Sequence, residues 1–187
     1  MQVEDRGVVF DATAQLPSER IAFFTSLCPL ASGTILCGFQ LGSAKHAIGS
    51  TIGLCRSIDG GNTWERVPAR FETTIDGIPG SLGGVEMVEV EPGKLLLFST
   101  WFDRRDPDRP LFDPVTEGVL PSRQLRAFST DEGHTWGRWQ ELDTPGLTGR
   151  ATTGPLTRWA DGTLMVVLWC LQPDARGVAY VRLKMTE

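Results

Sequence analysis

The segments "SIDGGNTW" at residues 57–64 and "STDEGHTW" at residues 129–136 share the pattern S-x-D-x-G-x-T-W. In such a pattern the Asp carboxylate can accept hydrogen bonds from backbone N–H groups further along the chain, the Gly can adopt a left-handed conformation, and the Thr hydroxyl can close the turn. The Trp that follows is a large apolar plate that can lie over a sheet. We therefore interpret both octapeptides as turns that connect two β-strands.

Each octapeptide ends a longer repeated unit. Apolar runs flank turns at Gly33, Gly93 and Gly162, which recur at a spacing of about 60 to 70 residues. After the first two of these hairpins, a further strand leads directly into an octapeptide. The unit is therefore predicted to be a hairpin, a strand, a turn and a strand.

The rest of the sequence favours an all-β protein. Helical periodicity is nearly absent, and the 21 Gly and 12 Pro residues separate short runs rich in Val, Leu, Ile, Thr and Phe. The pattern predicts a partial β-propeller of about three four-stranded antiparallel blades within a single domain, residues 1–187. The expected blades cover about residues 20–70, 80–143 and 150–187, and the third is incomplete because the sequence stops at the strand that should lead into a third octapeptide.

Composition excludes several classes of partner. The net charge of -5 and the pI near 5.1 provide no basic field for nucleic acid. No apolar run approaches the roughly 20 residues that cross a bilayer, so no membrane partner is expected. The first 15 residues resemble no signal peptide, so the localisation is left unknown, and cytoplasmic only for the sequence as written.

The cysteines and histidines do not suggest a metal or a cofactor. Cys28, Cys37, Cys55 and Cys170 form no C-x-x-C pair, and neither histidine has a second one at metal-ligand spacing. We expect four buried free thiols. The alternative is a disulfide between neighbouring strands, such as one joining Cys28 to Cys37.

The octapeptides resemble the Asp-box, or BNR, repeats of the sialidase (neuraminidase) superfamily. The residues that carry the resemblance are Ser57, Asp59, Gly61, Thr63 and Trp64, with Ser129, Asp131, Gly133, Thr135 and Trp136. It covers the chain from about Arg20 to the C-terminus and implies a six-bladed propeller with these turns on the rim away from the active site. Asp59 and Asp131 are therefore expected to be structural.

The resemblance also implies a site chemistry. Sialidases bind the substrate carboxylate with three arginines and use a Tyr nucleophile, a Glu and an Asp acid/base. Arg20-Ile21 stands where the first family arginine precedes an Ile-Pro pair, although Ala22 replaces that Pro. Arg20 is thus a candidate substrate-binding residue, and the alternative is an ordinary solvated arginine.

The long insertion at residues 101–114 is the other candidate site. Asp103 is a candidate acid/base, with Asp106 as a second possibility. Arg104 and Arg105 are candidate anion binders, and Trp101 is a candidate for stacking on a sugar. The alternative is a proline-stiffened surface loop whose charges pair with one another.

Four residues elsewhere receive weaker expectations. Glu86 and Arg150 begin inner strands, but Glu86 alternates with other glutamates and solvation explains it. His46 lies in a long loop where a ligand could bind. The only tyrosine, Tyr180, is expected to pack within a strand.

The sequence leaves three functions open. The first is a sialidase-like glycoside hydrolase domain of the exo-alpha-sialidase type, in a chain that is a fragment without the later-blade catalytic residues and is therefore inactive alone. The alternative is a non-catalytic Asp-box propeller that binds carbohydrate or protein, and a hydrolase of another sugar is a third possibility. The expected partners are a glycan or small sugar, and either the remaining blades of a parent chain or a second copy associating through open edges.

Overall fold

The computed structural model describes residues 2–147, 149–152, 154–171 and 176–184. It contains three antiparallel sheets that follow one another along the chain. Sheet 1 consists of β1 Ile21–Pro29, β2 Ile35–Gly42, β3 Thr51–Ser57 and β4 Glu65–Val67. Sheet 2 consists of β5 Gly80–Glu91, β6 Lys94–Asp103, β7 Ser122–Ser129 and β8 Gln140–Leu142. Sheet 3 consists of β9 Arg150–Thr152, β10 Thr157–Arg158, β11 Leu164–Leu171 and β12 Arg176–Leu183.

The all-β prediction is confirmed, and the three sheets form a partial β-propeller. Sheets 1 and 2 are simple meanders, in which each strand pairs with the next along the chain. In sheet 3, β9 and β10 both pair with β11, so they are two pieces of one interrupted first strand. The first strands of the three sheets are neighbours, since β1 lies against β5 and β5 lies against β9.

Among the described residues, two short 3-10 helices precede the sheets, Ala12–Ala14 and Pro17–Glu19. The described part of the chain contains no helix that is long and apolar enough to cross a membrane. Within the same part, no cluster of three or more His, Cys, Asp or Glu side chains is arranged to hold a metal ion.

The sheets are held together by two apolar layers. Between sheets 1 and 2 lie fully buried side chains that include Leu36, Leu54, Val85, Leu95 and Leu97. Between sheets 2 and 3 lie Val90, Leu96, Phe98, Leu164, Val166 and Leu168. Each fully buried side chain of this size contributes about 1.5–3 kcal/mol, so sheet-on-sheet packing dominates the stability of the fold.

The first octapeptide forms a turn that is closed by its own side chains. The Ser57 hydroxyl donates to Asp59 Oδ1 at 2.8 Å, and the Gly61 N–H donates to Ser57 Oγ at 2.9 Å. Asp59 also accepts from the Thr63 N–H at 2.9 Å and from the Thr63 hydroxyl at 2.7 Å. The Trp64 indole N–H then donates to the Gly61 carbonyl at 2.9 Å. The hydrogen bonds from Thr63 and Ser57 lower the pKa of Asp59 to about 2.

The second octapeptide repeats this wiring. Asp131 accepts from the Thr135 N–H at 2.9 Å and from the Ser129 hydroxyl at 2.7 Å, and the Trp136 indole donates to the Gly133 carbonyl at 3.1 Å. Burial opposes ionisation of Asp131, but the hydrogen bonds from Thr135 and Ser129 outweigh it and lower its pKa to about 2. Both turns connect the third strand of a sheet to its fourth, and in each turn the aspartate accepts these hydrogen bonds from the turn's own residues.

An arginine in sheet 1 forms hydrogen bonds with the second octapeptide, which belongs to sheet 2. Arg56 on β3 donates to the Glu132 carboxylate at 3.0 Å and to its carbonyl at 3.3 Å. It also contacts His134 Nε2 at 2.8 Å, and this nitrogen must accept because a guanidinium only donates. A fourth bond, at 3.3 Å, goes to the Thr34 hydroxyl.

Replacing Arg56 by Met should remove these hydrogen bonds between sheets 1 and 2. Methionine keeps the apolar stem but removes the guanidinium donor from the partly buried Glu132 carboxylate, which keeps the longer hydrogen bond from the Thr34 hydroxyl at 3.5 Å. We expect a loss of about 1–3 kcal/mol in the free energy of unfolding. Urea denaturation measures it. The matched control is Arg66→Met, which breaks a more exposed ion pair with Glu19 and should cost under about 1 kcal/mol. Equal losses in the two variants would show that Arg56 is only another surface charge.

The N-terminal segment covers the face of sheet 1 that points away from sheet 2. Phe10 packs on Phe39 with ring centroids 4.8 Å apart. Cys37 and Cys55 are opposite each other on β2 and β3 in this same layer. Cys28 instead lies in the layer between sheets 1 and 2, so the alternative of a Cys28–Cys37 disulfide is wrong and all four cysteines are buried free thiols.

The outer face of sheet 3 is more open. Val167 is paired with Tyr180 across β11 and β12, on the face opposite to the layer shared with sheet 2. The Tyr180 side chain is 63% exposed and that of Val178 is 77% exposed. The prediction that Tyr180 packs within the sheet is therefore wrong.

Candidate functional site

The first strands of all three sheets are irregular, and their irregularities meet at one place. The β1–β2 register shifts between Phe23 and Ser26, and the β5–β6 register shifts between Leu82 and Val85. In sheet 3 the first strand is interrupted after Thr152, before β10 begins. Bulges re-aim side chains and open the ladder locally. Residues from all three irregular regions line a single cavity.

This aromatic cavity has a volume of about 240 Å³. Its walls come from the three first strands, from β6 and β11, and from the loops at residues 43–50 and 104–121. The lining residues are Phe24, Lys45, His46, Gly83, Gly84, Phe102, Leu111, Phe112, Ala151, Thr152 and Trp169. The cavity is therefore built from all three sheets, although each sheet contributes only a few residues.

A chain of rings forms one wall. His46 lies 5.8 Å from Phe24 and 5.4 Å from Phe112, between ring centroids. Phe112 in turn stacks on Trp169 at 6.1 Å. The Lys45 ammonium lies 5.7 Å from the centroid of the Phe24 ring, within range of a cation–π interaction. Aromatic faces next to a few polar groups are typical of small-molecule sites.

Two large residues of this wall have a strained backbone. Phe24 has φ of 55° and His46 has φ of 59°, in the left-handed region that side chains of this size rarely adopt. Such strain costs on the order of 1–3 kcal/mol per residue and is concentrated at functional sites. Its occurrence twice in one wall marks the cavity as a candidate site.

Gly83 and Gly84 leave space at the base of the cavity because they have no side chains. A Cβ at Gly83 would lie 3.0 Å from the Phe102 ring, and a Cβ at Gly84 would lie 3.0 Å from the Thr152 carbonyl oxygen. The Ser99 hydroxyl donates to the Gly84 carbonyl at 2.8 Å and fixes the bulge from below. Larger residues here would fill the space that a ligand needs.

The electrostatic character of the cavity is positive. Burial, together with the charges of Lys45 and Arg104, lowers the pKa of His46. The imidazole is therefore neutral at pH 7, with one nitrogen to donate and one to accept. No carboxylate is among the described residues that line the cavity.

The predicted acid/base, Asp103, lies at a different cavity of about 480 Å³ together with Arg105 and Asp106. The Arg105 guanidinium forms a fork with the Asp103 carboxylate, with Nε 2.8 Å and Nη2 2.7 Å from Oδ2. This hydrogen bonding lowers the pKa of Asp103, which is ionised at neutral pH. Asp106 accepts from the Asp108 N–H and so closes a turn of the loop.

The other predicted residues are dispersed. Arg20 is exposed at the end of the second 3-10 helix and does not line the aromatic cavity. Trp101 is only 2% exposed, and its indole donates to the Thr73 carbonyl at 2.7 Å, so its ring belongs to the core in this structure. Arg104 is also buried, and its Nη2 donates to the His46 carbonyl. The structure thus keeps Asp103 and Arg105 together and separates them from Arg20, Arg104 and Trp101.

Glu86 differs from its sequence-based expectation. Its side chain is 8% exposed, so the prediction of a solvated glutamate is wrong. Burial raises its pKa to about 7, against a weaker opposing effect of a hydrogen bond with Ser26. Arg150 is half-buried and donates to the Thr144 carbonyl at 3.2 Å, and burial lowers its pKa.

Several residues of the aromatic cavity were not identified from the sequence. Phe24, Phe112 and Trp169 come from three separate segments that only the fold brings together. A usable signal was the Gly83-Gly84 pair inside a strand, because glycine in a strand often marks a bulge or a close approach by a ligand. His46 was considered as a ligand contact, and it does line the cavity.

No protein-family model matches this sequence, and no curated protein matches it significantly. Solved structures do match. A Hadza microbial sialidase aligns with a TM-score of 0.70 and 21% identity, over 89% of this chain and 36% of that one. The intramolecular trans-sialidase from Ruminococcus gnavus aligns with a TM-score of 0.63 and 12% identity, over 96% of this chain and 63% of that one. An alpha-L-arabinanase from Penicillium chrysogenum aligns with a TM-score of 0.55 and 17% identity, over 83% of this chain and 44% of that one.

These similarities show that the chain has a sialidase-like propeller fold. The fold is shared with an arabinanase, so it does not select one sugar. The chain spans between about a third and two-thirds of the length of these three structures.

Proposed function

We propose that this chain is a sugar-binding domain of a sialidase-like glycoside hydrolase, and that the aromatic cavity is where the sugar binds. The single observation that carries the proposal is the convergence of three irregular first strands on one ring-lined cavity. The fold, which sialidases and an arabinanase share, supports it.

The cavity offers the two kinds of contact that sugars require. The faces of Phe112 and Trp169 suit the C–H faces of a pyranose, and neutral His46 offers one donor and one acceptor to hydroxyl groups. Lys45, exposed at the edge, offers an ammonium to an acidic substituent such as the carboxylate of a sialic acid. A sialylated glycan is therefore the ligand that we favour.

Catalysis by the chain alone has less support. The Arg105 fork keeps Asp103 ionised at neutral pH, whereas a general acid must hold a proton at the working pH. The only tyrosine is Tyr180, on β12, and it does not line the aromatic cavity. We therefore propose that the chain binds sugar without turning it over, with Asp103 and Arg20 as the residues to test for any catalytic contribution.

The second candidate function is a binding module whose parent protein is not a hydrolase. It is favoured by one observation, the absence of a carboxylate among the cavity-lining residues that the structure describes. The Asp-box interpretation of the two octapeptides fits both candidates, because the carboxylates of Asp59 and Asp131 accept hydrogen bonds from their own turns.

The binding proposal predicts a loss of affinity when the rings are truncated. Phe112→Ala and Trp169→Ala should each weaken binding of 3'-sialyllactose at least about tenfold, because each removes ring area that contacts the sugar. Titration calorimetry or saturation-transfer NMR measures this. Trp159→Ala is the matched control, since Trp159 is a partly exposed indole outside the cavity and its removal should leave the affinity unchanged.

The same titrations test for catalysis within this chain when a fluorogenic sialoside is added. Binding without turnover in this chain, unchanged by Arg20→Ala or Asp103→Ala, is the expected result. Turnover that Asp103→Ala abolishes would instead establish catalysis within this chain. Binding of 3'-sialyllactose that is unaffected by either ring variant would refute the cavity as the sugar site.

A further inference from the structure

Arg104 has an unusual position for a charged residue. It follows directly after β6, and its backbone N–H donates to the Pro79 carbonyl at 2.9 Å. Its side chain runs beneath the 43–50 loop, where Nη2 donates to the His46 carbonyl at 2.9 Å. Only 6% of the residue is exposed.

The rest of the guanidinium lacks partners. Nε and Nη1 of Arg104 are buried and donate no hydrogen bond to any of the described residues. No described carboxylate forms an ion pair with Arg104, whereas its neighbour Arg105 is paired with Asp103. Burial accordingly lowers the pKa of Arg104. A buried guanidinium normally has a counter-charge, because desolvation of an unpaired ion is costly.

The surroundings add positive charge and no negative charge. The charges of both Lys45 and Arg104 act on His46, which the same surroundings keep neutral. The 43–50 loop covers Arg104. It is attached mainly by the contacts of the His46 ring with Phe24 and Phe112, and by the Ser50 carbonyl, which accepts from the Leu82 N–H at 2.8 Å. An anion beneath this loop would provide the counter-charge that Arg104 lacks.

We propose that Arg104 binds a compact free monovalent anion beneath the 43–50 loop. The anion accepts from Nε and Nη1, the two N–H directions of the fork that are without partners, and the neighbouring Lys45 strengthens its binding. Because these two nitrogens are buried here, the anion enters when the loop moves. Chloride and formate have the size and charge that the site requires. This inference does not depend on sugar binding in the aromatic cavity.

Thermal unfolding of the whole chain in different sodium salts tests the proposal. At constant ionic strength, replacing the bulky sulfonate of MES by chloride or formate should raise the midpoint by about 5 °C once the anion is a hundredfold above its Kd. Arg104→Met should abolish this response. Because methionine removes the unpaired charge and keeps the stem, this variant should melt no lower than the parent in MES alone.

Arg105→Met is the matched control, because Arg105 is exposed and already paired, and this variant should keep the full response to chloride. Arg104→Lys is a second variant in case methionine prevents folding, and its point charge should retain a weaker response. An equal response in the parent and in Arg104→Met, or no response in the parent, would overturn the proposal. A response to N-acetylneuraminate but to neither chloride nor formate would also overturn it, because the anion would then belong to a sugar.

Discussion

Replacing Glu86 by Gln is expected to stabilise the protein by about 3 kcal/mol at pH 8, while leaving its stability at pH 4.5 nearly unchanged. Burial raises the pKa of Glu86 from 4.5 to about 7. The folded protein therefore holds a proton on Glu86 that the unfolded chain has released between these pH values. Stability must fall as the pH rises through this interval, by about 1.4 kcal/mol for each unit that separates the two pKa values.

Glutamine copies the shape of the protonated carboxyl and does not titrate, so the fall should disappear in the variant. Urea denaturation of both proteins at half-unit intervals from pH 4.5 to pH 8 gives the difference directly. Glu91→Gln is the control, because Glu91 lies on the same strand but is exposed to solvent. If the difference in stability between Glu86→Gln and the parent does not change with pH, Glu86 is ionised in the folded protein over this pH range, and the prediction is wrong.

Glu86 also shows where sequence periodicity fails in this fold. Glu89 and Glu91 are two residues apart, a spacing that normally indicates a strand with one face in water, and the expectation of a solvated Glu86 extends that pattern to a residue three positions before Glu89. However, β5 lies between β1 and β9, so both faces of its central part are covered by neighbouring sheets. A local pattern contains no information about which sheets will stack against a strand.

The fold itself could be predicted because its signals are local. The two octapeptides contain their own hydrogen-bond donors and acceptors, and the turns at Gly33, Gly93 and Gly162 all adopt the positive φ that glycine permits. Alternating apolar strands between such turns leave few architectures other than stacked antiparallel sheets. The all-β propeller therefore followed from the sequence without any long-range information.

The candidate site could not be predicted in the same way. Its wall depends on Phe24 and His46 in backbone conformations that local propensity disfavours, and on ring contacts between segments about 60 residues apart. The composition of the charge-rich 101–114 insertion predicts a ligand site. However, Asp103 and Arg105 form an ion pair with each other, and Trp101 is buried. Three other residues of the same insertion, Phe102, Leu111 and Phe112, line the aromatic cavity.

The two octapeptides also provide a controlled comparison between the cost of a strained backbone and the cost of a crowded core. Gly61 and Gly133 occupy the same motif position, with φ of 96° and 85°. A Cβ at Gly61 would meet nothing closer than the Trp64 ring at 3.8 Å, whereas a Cβ at Gly133 would lie 2.5 Å from a methyl group of Leu36. Leu36 is fully buried between sheets 1 and 2, so it has little room to move.

We expect Gly61→Ala to lower the free energy of unfolding by about 1 kcal/mol, the cost of placing alanine in a left-handed conformation. Gly133→Ala should cost this amount plus about 1–3 kcal/mol for overpacking, a total of roughly 2–4 kcal/mol. Chemical denaturation of both variants measures the difference. Combining each variant with Leu36→Ala provides the decisive control, because truncating Leu36 should remove the excess cost at Gly133 and leave the cost at Gly61 unchanged. If the two glycine variants lose the same stability, the second octapeptide does not press on sheet 1, and the contact between these sheets is looser than the structure indicates.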